Sequence, residues 1–423
     1  MNGTASTGSA PPRLKLTLVT PTLQFGGAEQ QVALLAATLD QTRFDVSVYC
    51  LHDRGPFAAE LARAGIRVRG GWAPLAWPWR AYRAFKRWLL RDHAREGGVV
   101  VARPATAAET AATSGRLKSA NDLAAEILYD LTAIGAWWSF VWHRPDIVHV
   151  FQTSAKMALV AARLAGTRAT CYTEVCLTGD SLNPTQERIL IWCLRRTRCV
   201  IAMSEAIRSH LVRGGLTAAD IVLVPTMIDC RTASALAPRH DGTPRLGVVG
   251  RLVQGKGHSV LLEGMEMVCR SRPDASLLVA GDGPLRAALE AEVLQRGLAG
   301  KVRMMGEFGD IREVMGLIDV FVLPSLSEGM PVSILEAMAH GKAVIASRVG
   351  GIPDEVDDGE TGLLVPPWDV AALAQAILDL LREPQRIARM GAAGKLRAEE
   401  RFDARAVTRR VEELYRQARD EAH

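Results

Sequence analysis

The chain has 423 residues, of which 48% are hydrophobic and 23% charged, and its formal net charge is +5. Such a length exceeds one compact core and predicts two domains, while the composition excludes a disordered or membrane-embedded chain. The positive excess is too small to indicate nucleic acid, although it suits anionic small molecules or an anionic membrane surface.

Residues 1–13 are small and polar, lack an apolar core of the kind a leader peptide needs, and read as a flexible tail. The 7 cysteines form no CxxC pair, so they read as reduced thiols in a cytoplasmic protein. The first expected strand is "LKLTLV" (14–19). It runs through "TPTLQFGG" into a helix whose apolar positions Val32, Leu35 and Leu39 recur at helical spacing. Strand, glycine-bearing loop and helix is the opening of a doubly wound α/β unit.

Further strands of the first half are expected at 44–51, 146–151, 169–175 and 199–204. Between them, residues 72–143 break the alternation. Trp79, Tyr82, Phe85 and Trp88 stand three apart among Arg80, Arg83, Lys86, Arg87, Arg91 and Arg95, and an Ala/Thr-rich low-complexity stretch follows. The segment 72–95 reads either as a basic amphipathic helix touching the inner face of the membrane or as one packed on its own domain. The longest near-apolar run, 131–142, is too short to span a bilayer. The first domain is expected over 14–230, and the Pro-containing stretch 231–244 reads as the linker.

The second domain, 245–398, opens in the same way with "RLGVVG" (245–250). Its further strands are expected at 276–281, 302–306, 320–325 and 343–347, in apolar runs that suit parallel sheets covered on both faces. Residues 399–423 read as a charged helix that packs back toward the first domain.

Two segments carry chemistry. "GRLVQGKG" (250–257) sets Arg251 and Lys256 in a glycine-rich loop between a strand and a helix, where backbone N–H groups and two cations favour an anion. It is not the GxxxxGK[ST] loop of ATP hydrolysis. "SEGMPVSILEAMAHG" (327–341) places Glu328 in a loop and Glu336 inside a helix of about 331–340. Pro331 falls in the first turn and Gly341 at the C-cap. The N–H groups of Gly329, Met330, Val332 and Ser333 lie between the two carboxylates and suit a diphosphate.

The two glutamates eight apart after "LPS", with "GRL…KG", "VAGDGPLR", "VGGIPDEVDDGETGLLVPP" and "GGAE" (26–29), resemble the retaining glycosyltransferases of family GT4, which have the GT-B fold. The resemblance covers nearly all of the chain outside 72–143. It implies two Rossmann-like domains facing across a cleft. A sugar would pass with retention from a UDP- or GDP-sugar to a saccharide acceptor, such as a polyprenyl-diphosphate-linked one, in exopolysaccharide, capsule or lipopolysaccharide assembly. Arg251 and Lys256 would hold the diphosphate in place of a metal, and no cofactor is expected. Glu336 would bind the ribose and Glu328 the transferred sugar. Gly26 and Gly27 would approach the phosphates from the first domain, and the segment Gly329, Met330, Pro331, Val332 would complete the anion site.

One departure concerns the strand-end segment "YTEVC". Many relatives carry a histidine there that contacts sugar and phosphate, whereas this chain has Val175. Glu174 or His149 is the expected substitute on the acceptor or sugar side. Other readings of the same sequence are a nucleotide-sugar epimerase, a phosphorylase, a glycosidase pairing Glu328 with Glu336, and a catalytically silent scaffold.

Overall fold

The computed structural model describes residues 12–24, 26–70, 120–175, 184–233 and 244–421, with side chains from 132 onward in the segment that begins at 120 and from 186 onward in the segment that begins at 184. Most of the tail, most of the linker and the basic aromatic stretch 72–95 lie outside the described residues. The six described cysteines are free thiols.

The first sheet joins seven parallel strands: β1 (Leu14–Thr22), β2 (Phe44–Asp53), β3 (Arg67–Gly70), β4 (Ile147–Phe151), β5 (Ala169–Glu174), β6 (Cys199–Ala202) and β7 (Ile221–Leu223). Their order is β3-β2-β1-β4-β5-β6-β7. The second sheet holds β8 (Leu246–Val249), β9 (Leu277–Ala280), β10 (Val302–Gly306), β11 (Val320–Leu323), β12 (Ala343–Ser347) and β13 (Gly362–Val365), in the order β10-β9-β8-β11-β12-β13. Nearly every residue of the central strands is buried. That burial on both faces is why β8, β11 and β12 are near-unbroken apolar runs, whereas β1 carries Lys15 and Thr17 between its leucines. The edge strands β3 and β7 and the late strand β13 were not among the expected strands.

The helices that cover these sheets and frame the cleft are α1 (Gly27–Thr38), α2 (Pro56–Arg63), α3 (Ala120–His143), α4 (Met157–Leu164), α5 (Pro184–Leu194) and α6 (Glu205–Arg213) in the first half. The second half contributes α7 (His258–Ser271), α8 (Arg286–Gln295), α9 (Ile311–Met315), α10 (Val332–Ala339), α11 (Ile352–Glu355), α12 (Val370–Arg382), α13 (Pro384–Arg401) and α14 (Ala404–Asp420).

The strand order reverses between β1 and β4 in one sheet and between β8 and β11 in the other. In open parallel sheets a ligand crevice forms beyond the carboxyl ends of the strands at such a reversal. The loops after β1, β8 and β11 carry Gly26, Arg251 and Glu328. The topology therefore assigns the chemistry-bearing segments to the two crevices.

The chain crosses back to the first domain at its end. Ile228 bridges Asp403, with Ile228 N–H donating to Phe402 O at 2.9 Å and Ala404 N–H to Ile228 O at 2.9 Å. Helix α14 then buries Val407, Val411, Tyr415 and Ala418 in one cluster with Leu16, Leu18, Phe44 and Val46. Thr38 and Thr408 share a hydrogen bond of 2.6 Å between α1 and α14. Glu412 accepts from Asp40 N–H at 2.8 Å.

Candidate functional site

The loop after β8 is held from three sides. Leu252 N–H donates to Asp282 O at 2.9 Å, Leu285 N–H donates to Leu252 O at 3.1 Å, and the buried His258 sets Nε2 3.2 Å from Arg251 O. The "GDGP" glycines serve this anchoring. A Cβ on Gly281 would fall 2.0 Å from Gly250 O, and one on Gly283 2.6 Å from Leu252 O. The loop closes through Gly257, whose φ of 68° is left-handed and whose Cβ would meet Pro324 O at 2.0 Å. Arg251 is exposed above this framework.

Lys256 reaches Glu328, its Nζ 2.5 Å from Oε1. The two expected chemical segments therefore meet in an ion pair at the β8–β11 reversal. Immediately after Glu328, α10 starts at Val332 with Pro331 as its N-cap. The proline stands one position before the first turn, not within it, and no side chain caps the helix. The first N–H groups of a helix have no partner inside it, so this uncapped end presents donors beside Lys256 and Glu328.

The first domain supplies the facing wall. A Cβ on Gly27 would lie 3.2 Å from Val332 Cγ2, so a larger residue there would press the start of α10 back by a few tenths of an ångström. One turn along α1, Gln30 Nε2 donates to Glu336 Oε1 at 3.2 Å. Thr226 closes the same seam: its hydroxyl donates to Met330 O at 3.3 Å. Gly26, Gly27, Arg251, Lys256, Glu328, Met330, Val332 and Glu336 are thus brought to one cleft.

Glu336 opens partly to this cleft yet is surrounded by protein, and the loss of water raises its carboxyl from 4.5 to about 7, with the Gln30 hydrogen bond acting weakly the other way. A folded-state value above the unfolded one means that the folded protein holds the proton more tightly. Stability is lost as pH rises from about 4.5 through about 7, and the cost is fully present above that. Glu336→Gln is therefore expected to raise the melting temperature at pH 8, by ~1–2 kcal/mol of stability after allowance for cleft water, and to leave it unchanged near pH 4.5. Thermal melts of both proteins across that range check this.

Two candidates for the acceptor side are placed elsewhere. His149 is 1% exposed, and both ring nitrogens are taken: Nδ1 lies 2.6 Å from Tyr415 Oη and Nε2 2.7 Å from Thr173 Oγ1. Burial lowers it to about 3, so the ring is neutral. This corrects the expectation that it approaches a saccharide, because His149 instead ties α14 to the sheet. Glu174 is fully buried and accepts from Thr153 Oγ1 at 2.5 Å, Tyr172 Oη at 2.6 Å and Val175 N–H at 3.1 Å. It fixes the turn after β4 and does not face the cleft.

Sequence reasoning missed Gln30 and Gln152. Gln30 lies on a helix that reads as purely structural, and nothing local marks it. Gln152 follows β4 at the first sheet's reversal, with φ 71° and ψ 145°. That region costs a non-glycine residue ~1–3 kcal/mol, and such strain gathers at ligand sites.

Comparison with known proteins agrees with this geometry. The family model described as "Glycosyl transferase 4-like domain" matches residues 26–226, and "Glycosyl transferases group 1" matches 243–383. The chain is similar to 2-deoxystreptamine glucosyltransferase of Streptomyces kanamyceticus, at 30% identity over 56% of this chain and 69% of that one. It is also 36% identical to the GDP-mannose-dependent monoacylated alpha-(1-6)-phosphatidylinositol monomannoside mannosyltransferase of Corynebacterium glutamicum, over 38% and 43% of the two chains. Among solved structures, Anabaena HepE in complex with UDP-glucose superposes with a TM-score of 0.73 at 19% identity, covering 96% of this chain and 100% of that one. Sucrose-phosphate synthase of Thermosynechococcus elongatus gives 0.73 at 21%, covering 96% and 99%. These superpositions establish the GT-B fold.

Proposed function

The chain belongs to the glycosyl transferases group 1 family and is a glycosyltransferase of GT-B fold, and on that premise we propose that it moves a sugar, with retention and without a metal, from a nucleoside-diphosphate sugar to a saccharide or lipid-linked saccharide. The observation that carries this reading is the meeting of the Lys256–Glu328 pair, the uncapped start of α10 and the Gln30–Glu336 contact in one cleft between the domains.

Departure of a nucleoside diphosphate builds negative charge on the β-phosphate. Arg251, Lys256 and the α10 N–H groups stand ready to receive that charge, and donors fixed in advance are the most effective stabilisers of it. Glu336, ionised above about pH 7, accepts from the ribose diol. Glu328, once Lys256 turns to the phosphates, accepts from hydroxyls of the transferred sugar.

Relatives named for GDP-mannose and a neighbour solved with UDP-glucose make both nucleotides worth testing. Melting curves with UDP, GDP, ADP and their sugar conjugates, EDTA present throughout, test the donor site. One nucleotide at a hundred times its Kd is expected to stabilise the protein by ~2.7 kcal/mol. No stabilisation by any of them refutes a metal-independent donor site in the free protein. Anomeric analysis of the product tests retention.

A lipid-linked acceptor is supported by α3, which exposes Ile134, Trp138 and Trp142 at four-residue spacing along one face. Tryptophan favours the bilayer interface, and relatives include phosphatidylinositol-modifying enzymes. No described helix is long and apolar enough to cross a membrane. Flotation with anionic vesicles is expected to carry the protein upward, and less so after Trp138→Ala and Trp142→Ala together. A protein that stays in the soluble fraction refutes the membrane contact.

A further inference from the structure

Helix α11 ends in Glu355, which is 0% exposed and has no hydrogen-bond partner at either carboxyl oxygen. An unpaired carboxylate in such surroundings is strongly unfavourable, so this side chain needs a reason.

Its surroundings supply one. The loop 348–351 leading into α11 lies flat against the turn that carries Glu328. A Cβ on Gly350 would fall 1.7 Å from Glu328 O, and one on Gly351 2.1 Å from Gly329 O. On the opposite side, Arg397 of α13 donates to Asp354 O at 3.0 Å and Glu355 O at 2.7 Å, which clamps the helix in place. Asp354 accepts from the first domain, at 2.7 Å from Glu205 N–H. The main chain that leads into Glu355 is thereby fixed against the Glu328 turn. Burial holds its carboxyl well above the usual range, the charges of Glu328 and Asp354 push it further, and Lys256 opposes them. A carboxyl kept neutral is a hydrogen-bond donor.

The donor-site reading, on which this inference rests, sets one demand. Lys256 is engaged by Glu328 at 2.5 Å, and the same ammonium is needed by the diphosphate. When it turns, the largely buried Glu328 carboxylate loses its cation. We infer that Glu355 is a further positioning residue of the donor site, which gives its hydrogen bond to Glu328 when the donor's diphosphate draws Lys256 away. The proton stays on Glu355 throughout, and no group is transferred to it.

Steady-state kinetics of Glu355→Leu and Glu355→Gln, with melting curves of each, test this. The leucine variant is expected to keep or gain melting temperature, because an unpaired buried polar group is removed. It is also expected to lose about tenfold or more in kcat/KM for the donor, mostly in kcat, as a hydrogen bond to a charged group is lost. The glutamine variant keeps an N–H donor and is expected to recover most of that loss. Glu355→Met serves as the second apolar variant should leucine not fold. An apolar variant with unchanged kcat/KM overturns the proposal, as do glutamine and leucine variants equally impaired. Arg251→Ala in the same assay separates the two ideas. An unchanged rate there counts against the donor site itself, whereas a slow Arg251→Ala beside an unaffected Glu355→Leu counts against Glu355 alone.

Discussion

Lys256→Ala is expected to slow sugar transfer by about 10²–10³-fold at saturating donor, the range found when one preorganised donor is removed from an oxyanion site. Two losses combine in this variant. The cation proposed to meet the leaving diphosphate is gone, and Glu328 loses the partner that lies 2.5 Å from it. In this partly buried pair, removal of one member is expected to cost more than removal of both, because the survivor is left uncompensated. The double variant Lys256→Ala/Glu328→Ala is therefore expected to fall well short of the product of the two single losses. Arg251→Lys provides the contrast: a point charge replaces a planar fork, and a bidentate phosphate grip is not restored. Initial rates with melting curves for all four proteins check this, and additive losses at Lys256 and Glu328 would show that the pair does not act as a unit.

The parallel sheets were legible because their strands are buried on both faces, which leaves apolar runs at 246–249 and 320–323, while 14–19 and 44–51 show through recurring Leu and Val with polar residues between them. The second-domain half of the cleft was legible for a related reason. A strand, a short loop and a helix start place Arg251, Lys256, Glu328 and Glu336 within a few residues of elements that the sequence itself marks. What escaped depends on contacts between distant segments. Gln30 meets Glu336 across 306 positions, and neither residue announces the other. His149 and Glu174 look available in a strand-end reading, but Tyr415, 266 positions away, covers one, and Thr153 with Tyr172 occupies the other. Glu355 stands among Asp354, Asp357 and Asp358, and only packing beside the Glu328 turn and α13 reveals its burial.

The seam between the domains has a consequence for pH. Glu336 accepts from Gln30 of the first domain, and burial raises its carboxyl to about 7. A ribose diol bound there favours the ionised form, so donor binding is expected to release protons near neutrality and to weaken as pH falls below about 7. The residue that destabilises the free protein at pH 8 is then the one that gains most when the donor arrives.

Gly350→Ala is expected to cost as much activity as removal of a charge that contacts the donor, although residue 350 has no side chain to contribute. Its φ is 54°, in the left-handed region where alanine is strained by ~1 kcal/mol, and the added Cβ would fall 1.7 Å from Glu328 O. The obstacle is main chain and cannot rotate aside. Either the loop into α11 or the Glu328 turn must move by an ångström or more, and displacements of that size at a reacting centre cost about 10²-fold. Gly359 offers the matched control. Its φ of 87° is also left-handed, but nothing lies within 4 Å of its Cβ, so Gly359→Ala carries the backbone strain without the collision. Both variants are expected to lose melting temperature, and only Gly350→Ala to lose about 10²-fold in kcat. Equal activity in the two would mean that the Glu328 turn tolerates displacement, and that the site is set by its charges more than by its register.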